Sequence, residues 1–249
     1  IAKALALTTT DFAITDRSGK AIALAAEIPC GYLSTEEIAQ QCERIFLGVK
    51  PHMMKGVLAP LQEILAEKKP LLITMAAGLT MEQIQEFAGC EIPVIRIMPN
   101  TPVAVGSGVI LYDATENVSA GVLAQFCKNM QFAGLMDHLP EALMDAGTAV
   151  AGCGPAFAAL FMEALEEGGV RCGLSREKAG IYVRQMVLGA AQLALQSEKP
   201  LAQLRQEVCS PGGSTIEGVR SLEKDDLRAA VIRSVQASFY RNQELGKTT

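Results

Sequence analysis

The chain of 249 residues has no tryptophan, only two histidines and an aromatic content of 5%. A zinc site needs clustered ligands, and His52 and His138 lie far apart, so no metal is expected. The seven cysteines, at positions 30, 42, 90, 127, 153, 172 and 209, are odd in number, and no pair has CxxC spacing. Most sit among apolar residues, which predicts reduced core thiols of a cytoplasmic protein rather than disulfides. No apolar run reaches the roughly 18 residues of a membrane span. The longest, such as Ala146–Ala151, are short and broken by glycine. A net charge of −5 gives no reason to expect nucleic acid or an anionic membrane as partner. No signal peptide is visible. Residues Ile1–Leu7 read as the end of an amphipathic helix, so the sequence is expected to be part of a longer protein.

Alanine and glycine are plentiful instead, and small residues favour close packing of helices on helices and sheets. Apolar runs and helical patterns alternate in the first part of the chain. The runs are Phe12–Ile14, Arg44–Val49, Leu71–Met75, Pro93–Met98 and Gly108–Tyr112. Continuous apolar strands imply burial on both faces, the mark of a mostly parallel sheet. Ser34 with Glu37, and Thr80 with Gln83, have capping-box spacing before Ile38 and Ile84. Residues 53–65 read as a helix broken at Pro60, and 117–130 as another carrying Val122, Leu123 and Phe126. A βαβα order predicts right-handed crossovers and a doubly wound sheet, with ligands outside the carboxyl ends of the strands. Those ends are the loops at Asp16, Lys50, Ala76 and Met98.

From about Pro140 the strand signals stop. Phe157, Leu160, Phe161, Ala164 and Leu165 share one helical face, as do Val183, Met186, Val187, Ala190, Ala191 and Ala194 after the cap Ser175. Further helices open near Thr215 and over 226–244. These wide apolar arcs exceed what a small bundle buries, which predicts a helical domain that dimerises; packing on its own sheet domain is the alternative. The expected division is a dinucleotide-binding domain over 1–139 and a helical substrate and dimerisation domain over 140–249.

Within the helical part, Ser210-Pro-Gly-Gly-Ser-Thr215 is the most informative segment. Pro211 fixes φ, Gly212 and Gly213 admit close approach, and a helix N-terminus follows, a geometry suited to a small carboxylate. A plain connecting turn is the competing reading.

With these segments in order, the chain resembles pyrroline-5-carboxylate reductases. The resemblance covers almost the whole chain. It rests on Val49-Lys-Pro51, Ala76-Ala-Gly78, Arg96-Ile-Met-Pro-Asn-Thr-Pro102, Gly152-Cys-Gly-Pro-Ala156 and Val208-Cys-Ser-Pro-Gly-Gly-Ser-Thr-Ile216, with Gly218 and Leu222-Glu223 following. The resemblance implies a Rossmann-like domain followed by helices that interlock with a second subunit, as a homodimer or a larger homo-oligomer. It also implies hydride transfer from a nicotinamide cofactor to the C=N of pyrroline-5-carboxylate, giving proline. The family's first strand and Gly-rich phosphate loop would lie N-terminal to Ile1. Where relatives often carry Asn near the adenosine, this chain has Leu33-Ser-Thr35.

Substrate binding is then expected at Ser210, Gly212, Gly213, Ser214 and Thr215, the backbone N–H groups holding the carboxylate. By the resemblance, the Thr215 hydroxyl is catalytic, donating to the ring nitrogen; an ordinary N-cap is its alternative role. A well-placed donor of this kind accounts for roughly 2–4 kcal/mol of barrier. Cofactor contacts are expected at Arg17, Ser18, Thr35, Val49, Lys50, Pro51, Ala76, Ala77, Gly78 and Asn100. Asp16 suits the ribose 2′-OH of NADH, whereas Arg17 suits the 2′-phosphate of NADPH, toward which the reading leans. Glu163 and Glu166 could act electrostatically, a solvated helix face being the alternative. Cys153 reads as a packing residue, since no base stands beside it. Two rival functions remain: a dehydrogenase of the 3-hydroxyacid type, disfavoured because helix 155–168 has no lysine, and a cofactor-free dimeric binding protein of the same fold.

Overall fold

The computed structural model describes residues 1–247. It divides into two packing units: Ile1–Cys153 with the chain from Ala237 onward, and Gly154–Gln236. Residues 140–153, and the second half of the last helix, therefore pack with the sheet unit although they follow the boundary expected near 139.

In the first unit, β3 (Arg44–Leu47), β4 (Leu71–Thr74), β5 (Val94–Pro99), β6 (Gly108–Ala114) and β7 (Gly134–His138) form one sheet in that spatial order. The pairs β3–β4, β4–β5 and β6–β7 are parallel, and β5–β6 is antiparallel. The short strands β1 (Ala13–Ile14) and β2 (Gly31–Tyr32) form a separate parallel pair. Helices α1 (Ala2–Leu5), α2 (Lys20–Glu27), α3 (Thr35–Gln41), α4 (Met54–Leu58), α5 (Gln62–Lys68), α6 (Met81–Ala88), α7 (Ala120–Met130) and α8 (Met144–Gly147) complete the unit. A 3₁₀ turn, Ala59–Leu61, separates α4 from α5 at Pro60, where the ring removes an N–H from the helical ladder. Both capping boxes form. The Ser34 and Thr80 hydroxyls accept from the amides of Glu37 and Gln83, and each N3 side chain accepts from its cap amide.

Alternation along the strands sorts the core into two layers. Leu72 and Val94 join Leu58, Leu65 and Ile84 on one face. Leu71, Ile73, Ile95 and Ile97 join Phe126 and Met130 on the other. Helices thus cover both faces, the Rossmann-like, doubly wound arrangement that continuous apolar strands require.

The second unit contains α9 (Gly154–Arg171), α10 (Arg176–Gln196), α11 (Leu201–Val208), α12 (Ser214–Lys224) and the first half of α13 (Leu227–Lys247). The Ser175 hydroxyl caps α10 by accepting from the Lys178 amide. Glu166 ties α9 to α10 through ion pairs with Arg176 and Arg184, at 3.2 and 3.7 Å. None of the α9 residues is buried, and Leu160 (67%) and Leu195 (87%) stand largely open. Contrary to the expectation from the apolar runs, residues 141–171 contain an 18-residue window of mean hydropathy 1.4, long and apolar enough to cross a membrane by length and composition alone, because the glycines within it barely lower the average.

All seven cysteines are free, but none is a core residue: six are half-buried and Cys172 is exposed. The expectation of core thiols therefore holds only in part: Cys90 and Cys127 pack against the core, while the others sit in turns, loops and caps at the ends of elements, where solvent reaches one side.

Candidate active site

In a parallel array, successive strands end on the same edge. The loops after β3, β4 and β5 therefore lie side by side, and they carry Val49–Pro51, Ala76–Gly78 and Asn100. Val49 packs against the core, while Lys50 is exposed at the N-cap of the 3₁₀ turn that starts at Pro51. Ala76 is buried and Ala77 half-buried, so the second loop offers a wall of methyl groups and backbone. Gly78 has φ +78°, a conformation that β-carbons resist.

Asn100 is more committed than a free ligand-binding amide. Its Oδ1 accepts from the Val109 amide at 2.9 Å, and its Nδ2 donates to the Ala151 carbonyl at 2.9 Å. It thereby pins the β5–β6 connection to a π-helical turn, Thr148–Gly152. Cys153 closes that turn, its amide donating to the Thr148 carbonyl at 3.0 Å.

Arg17, Ser18 and Thr35 follow the small sheet rather than the large one. Asp16 is fully engaged there: Oδ2 accepts from the Ser18 hydroxyl and the Lys20 amide, and Oδ1 from the Ala21 amide. The carboxylate caps α2, and the Ser18 hydroxyl, followed by these amides, holds its pKa below the usual range. Arg17 beside it is exposed. An aspartate tied to a helix start is poorly placed to receive a ribose 2′-OH, while the arginine is available to a phosphate. Arg17→Ala is therefore expected to raise the KM for NADPH about tenfold and leave that for NADH within twofold, one phosphate contact being worth about 1.4 kcal/mol. Steady-state kinetics with both cofactors checks this; equal effects on the two would remove Arg17 from the phosphate. Thr35 is the exposed first residue of α3, and Ser34 is engaged in capping.

Ser210–Thr215 lies in the second unit. The Gly213 amide donates to the Ser210 carbonyl at 3.0 Å, Pro211 occupies the second turn position, and Gly212 has φ +69°. This is the type II turn that a Pro-Gly pair favours. A β-carbon on Gly213 would collide with Ser210 Oγ and press on the Ser210 carbonyl oxygen at 3.2 Å, so a larger residue there would force the serine side chain to turn away. Helix α12 starts at Ser214 with Gly213 as N-cap and no side-chain cap. Thr215 is thus the second helical residue, exposed, with its hydroxyl outside any capping bond. The early amides of α12 have no intrahelical partner and lie at the positive end of the helix dipole.

Sequence reasoning gave no role to the buried charge below the edge. Arg96, only 3% exposed, shares its sheet face with its register partners Thr74 and Asp113. Its Nη1 donates to Glu141 Oε1 at 3.0 Å, and Asp145 Oδ1 lies 3.9 Å from Nη2. Glu141 Oε1 also accepts from the Met81 amide at 2.9 Å, and the Glu141 amide donates to Asp113 Oδ2 at 2.6 Å. One carboxylate thereby joins β5, the start of α6 and the segment leading to the π-helical turn.

The fold and the strand-edge loops define a nicotinamide-dependent oxidoreductase with a helical second part. Residues 1–78 match the family model for NADP oxidoreductase, coenzyme F420-dependent, and residues 141–245 that for pyrroline-5-carboxylate reductase dimerisation. The chain is 42% identical to a pyrroline-5-carboxylate reductase of Synechocystis sp. over 85% of its length and 78% of that relative. For the enzyme of Pisum sativum, the identity is 38% over 85% and 77%. A Coxiella burnetii pyrroline-5-carboxylate reductase superposes with a TM-score of 0.88 at 33% identity, over 98% of this chain and 94% of that one. A Plasmodium falciparum pyrroline carboxylate reductase with NADP bound superposes at 0.85 with 30% identity and the same coverage. The chain belongs to the pyrroline-5-carboxylate reductase family.

Proposed function

We infer that the protein is a pyrroline-5-carboxylate reductase, reducing the ring C=N of 1-pyrroline-5-carboxylate to L-proline in the cytoplasm. The single observation that carries the mechanism is the Ser210–Gly213 turn opening α12, with Gly212 at a positive φ and an uncommitted Thr215 hydroxyl.

A dinucleotide suits an exposed Lys50 and a small-residue wall at Ala76–Gly78 on the strand edge, together with an exposed Arg17 after the small sheet, beside an aspartate already engaged. Bound NAD(P)H supplies the hydride. Val49–Pro51 and Ala76–Gly78 would hold the cofactor by backbone and small side chains, and the exposed Lys50 would supply a positive charge for its phosphates. Asn100 contributes through the loop it fixes, with one N–H still available. The amides of Gly212 and Ser214 hold the substrate carboxylate, that of Gly213 being spent on closing the turn against the Ser210 carbonyl, and the Ser210 hydroxyl lies in the same turn. Thr215 donates to the ring nitrogen, which polarises C=N and fixes the carbon in position. As hydride adds to the carbon, the nitrogen lone pair takes its proton along the Thr215 hydrogen bond and solvent replenishes the hydroxyl, so no His, Cys or carboxylate acid is required.

Homodimerisation through α9, α10 and the helices that follow accounts for the open apolar residues of that unit. It also accounts for the apolar window over 141–171 without a membrane, since that window lies in the segment matched by the dimerisation family. Leu165, Leu174, Ala179, Tyr182 and Met186 line a shallow apolar groove suited to a partner helix. A sedimentation measurement giving a stable monomer at micromolar concentration would refute this assembly. The deciding assay for the function is NADPH oxidation with pyrroline-5-carboxylate, repeated with NADH. Substrate-dependent oxidation is expected, faster with NADPH at low cofactor; no oxidation with either cofactor overturns the reading.

A further inference from the structure

After Gln236 the chain rejoins the sheet unit, and Asn242 and Gly246 attach the second half of α13 there. Asn242, 8% exposed, donates from Nδ2 to the Asp145 carbonyl at 3.3 Å. One turn later, Gly246 lies directly on Gly78. A β-carbon on Gly246 would come 2.7 Å from the Gly78 carbonyl oxygen, and one on Gly78 would come 2.8 Å from the Gly246 amide nitrogen. Both obstacles are backbone, which cannot rotate aside as a side chain does. The close approach exists because both residues are glycine.

Gly78 ends the small-residue wall after β4, and the far end of the same loop is fixed by Glu141 on the Met81 amide. The loop is therefore held at its α6 end by a carboxylate and at its middle, Gly78, by the last turn of α13. We propose that this last turn is a positioning element for the nicotinamide cofactor, with Gly246 setting the place of the Ala76–Gly78 loop. The proposal rests on the reading of the β3–β5 edge as the cofactor seat. Residues far along the sequence, at the end of the helical part, thereby belong to the binding apparatus of the first part.

Gly246→Ala tests it. Alanine improves helix propensity, so a purely local effect leaves stability unchanged or raised. The added methyl must instead push the Gly78 loop, and displacements approaching 1 Å cost one to two orders of magnitude in geometry-dependent sites. The dissociation constant for NADPH, read by fluorescence titration without substrate, is expected to rise about tenfold. The kcat at saturating cofactor is expected to stay within twofold, and amide exchange in Leu79–Gln83 to quicken in the cofactor-free protein. Gly121→Ala, where a β-carbon meets open space in α7, serves as the control and keeps wild-type binding. Asn242→Ala, which loosens the same turn without adding an atom, is expected to weaken NADPH binding about threefold and serves if Gly246→Ala does not fold. Wild-type NADPH binding in both strap variants, with Lys50→Ala weakened, overturns this proposal alone. Wild-type binding in all three overturns the cofactor seat, and this proposal with it.

Discussion

Replacing Glu141 by alanine is expected to destabilise the sheet unit by about 3 kcal/mol, the lower end of what removing one partner from a buried ion pair costs. The reason is the guanidinium left behind. Arg96 sits 3% exposed in the middle of β5, and its Nε has no partner. Glu141 is its close counter-charge at 3.0 Å, and Asp145, at 3.9 Å, compensates only in part. The same substitution frees the Met81 amide, weakening the start of α6. Denaturant titration read by circular dichroism measures the loss. The double variant Arg96→Met/Glu141→Leu is expected to recover most of it, since an apolar pair of similar volume carries no desolvation penalty. A single variant within about 0.5 kcal/mol of wild type, the ordinary range for surface substitutions, would show that the charge finds water.

This network also marks the limit of what the sequence discloses. Arg96 and Glu141 stand 45 residues apart with no periodic relation, so only the fold reveals that they meet. The same holds for Gly78 with Gly246, and for Asn100 with the Ala151 carbonyl. What is legible is local. Strands β3 to β6 announce themselves as continuous apolar runs because both faces are buried, and both capping boxes obey their spacing. Strand β7 escapes because it is an edge strand, largely exposed, beginning with glycine and ending in Asp137-His138. Helix α2 escapes because its N-cap is the left-handed Gly19, and the carboxylate that serves its first amides is Asp16, three residues further back. Helix α11 is too short and polar for a periodic signal. The strand-end loops are found because finding a strand also finds its end. The side-chain commitments within them, such as those of Asp16 and Asn100, are not.

Thr215→Ala is expected to lower turnover about ten- to a hundredfold while the fold stays intact. The structure separates the two roles its hydroxyl could have. Gly213 is the N-cap of α12, and no side chain caps that helix, so the threonine methyl and hydroxyl stand outside the capping scheme. Removing a capping hydroxyl costs about 1 kcal/mol, and here no such bond is lost. Thermal stability should therefore move by no more than about 0.5 kcal/mol in either direction. Turnover responds differently, because a donor on the ring nitrogen strengthens as the bond to hydride forms and charge gathers on nitrogen. The carboxylate remains held by the amides of the preceding turn, so substrate KM changes less than kcat. Thr215→Ser keeps the hydroxyl and should retain most of the turnover, whereas Thr215→Val keeps the shape and should not. Full turnover in the valine variant would place the catalytic hydrogen bond elsewhere and leave the Ser210–Gly213 turn as a carboxylate seat alone.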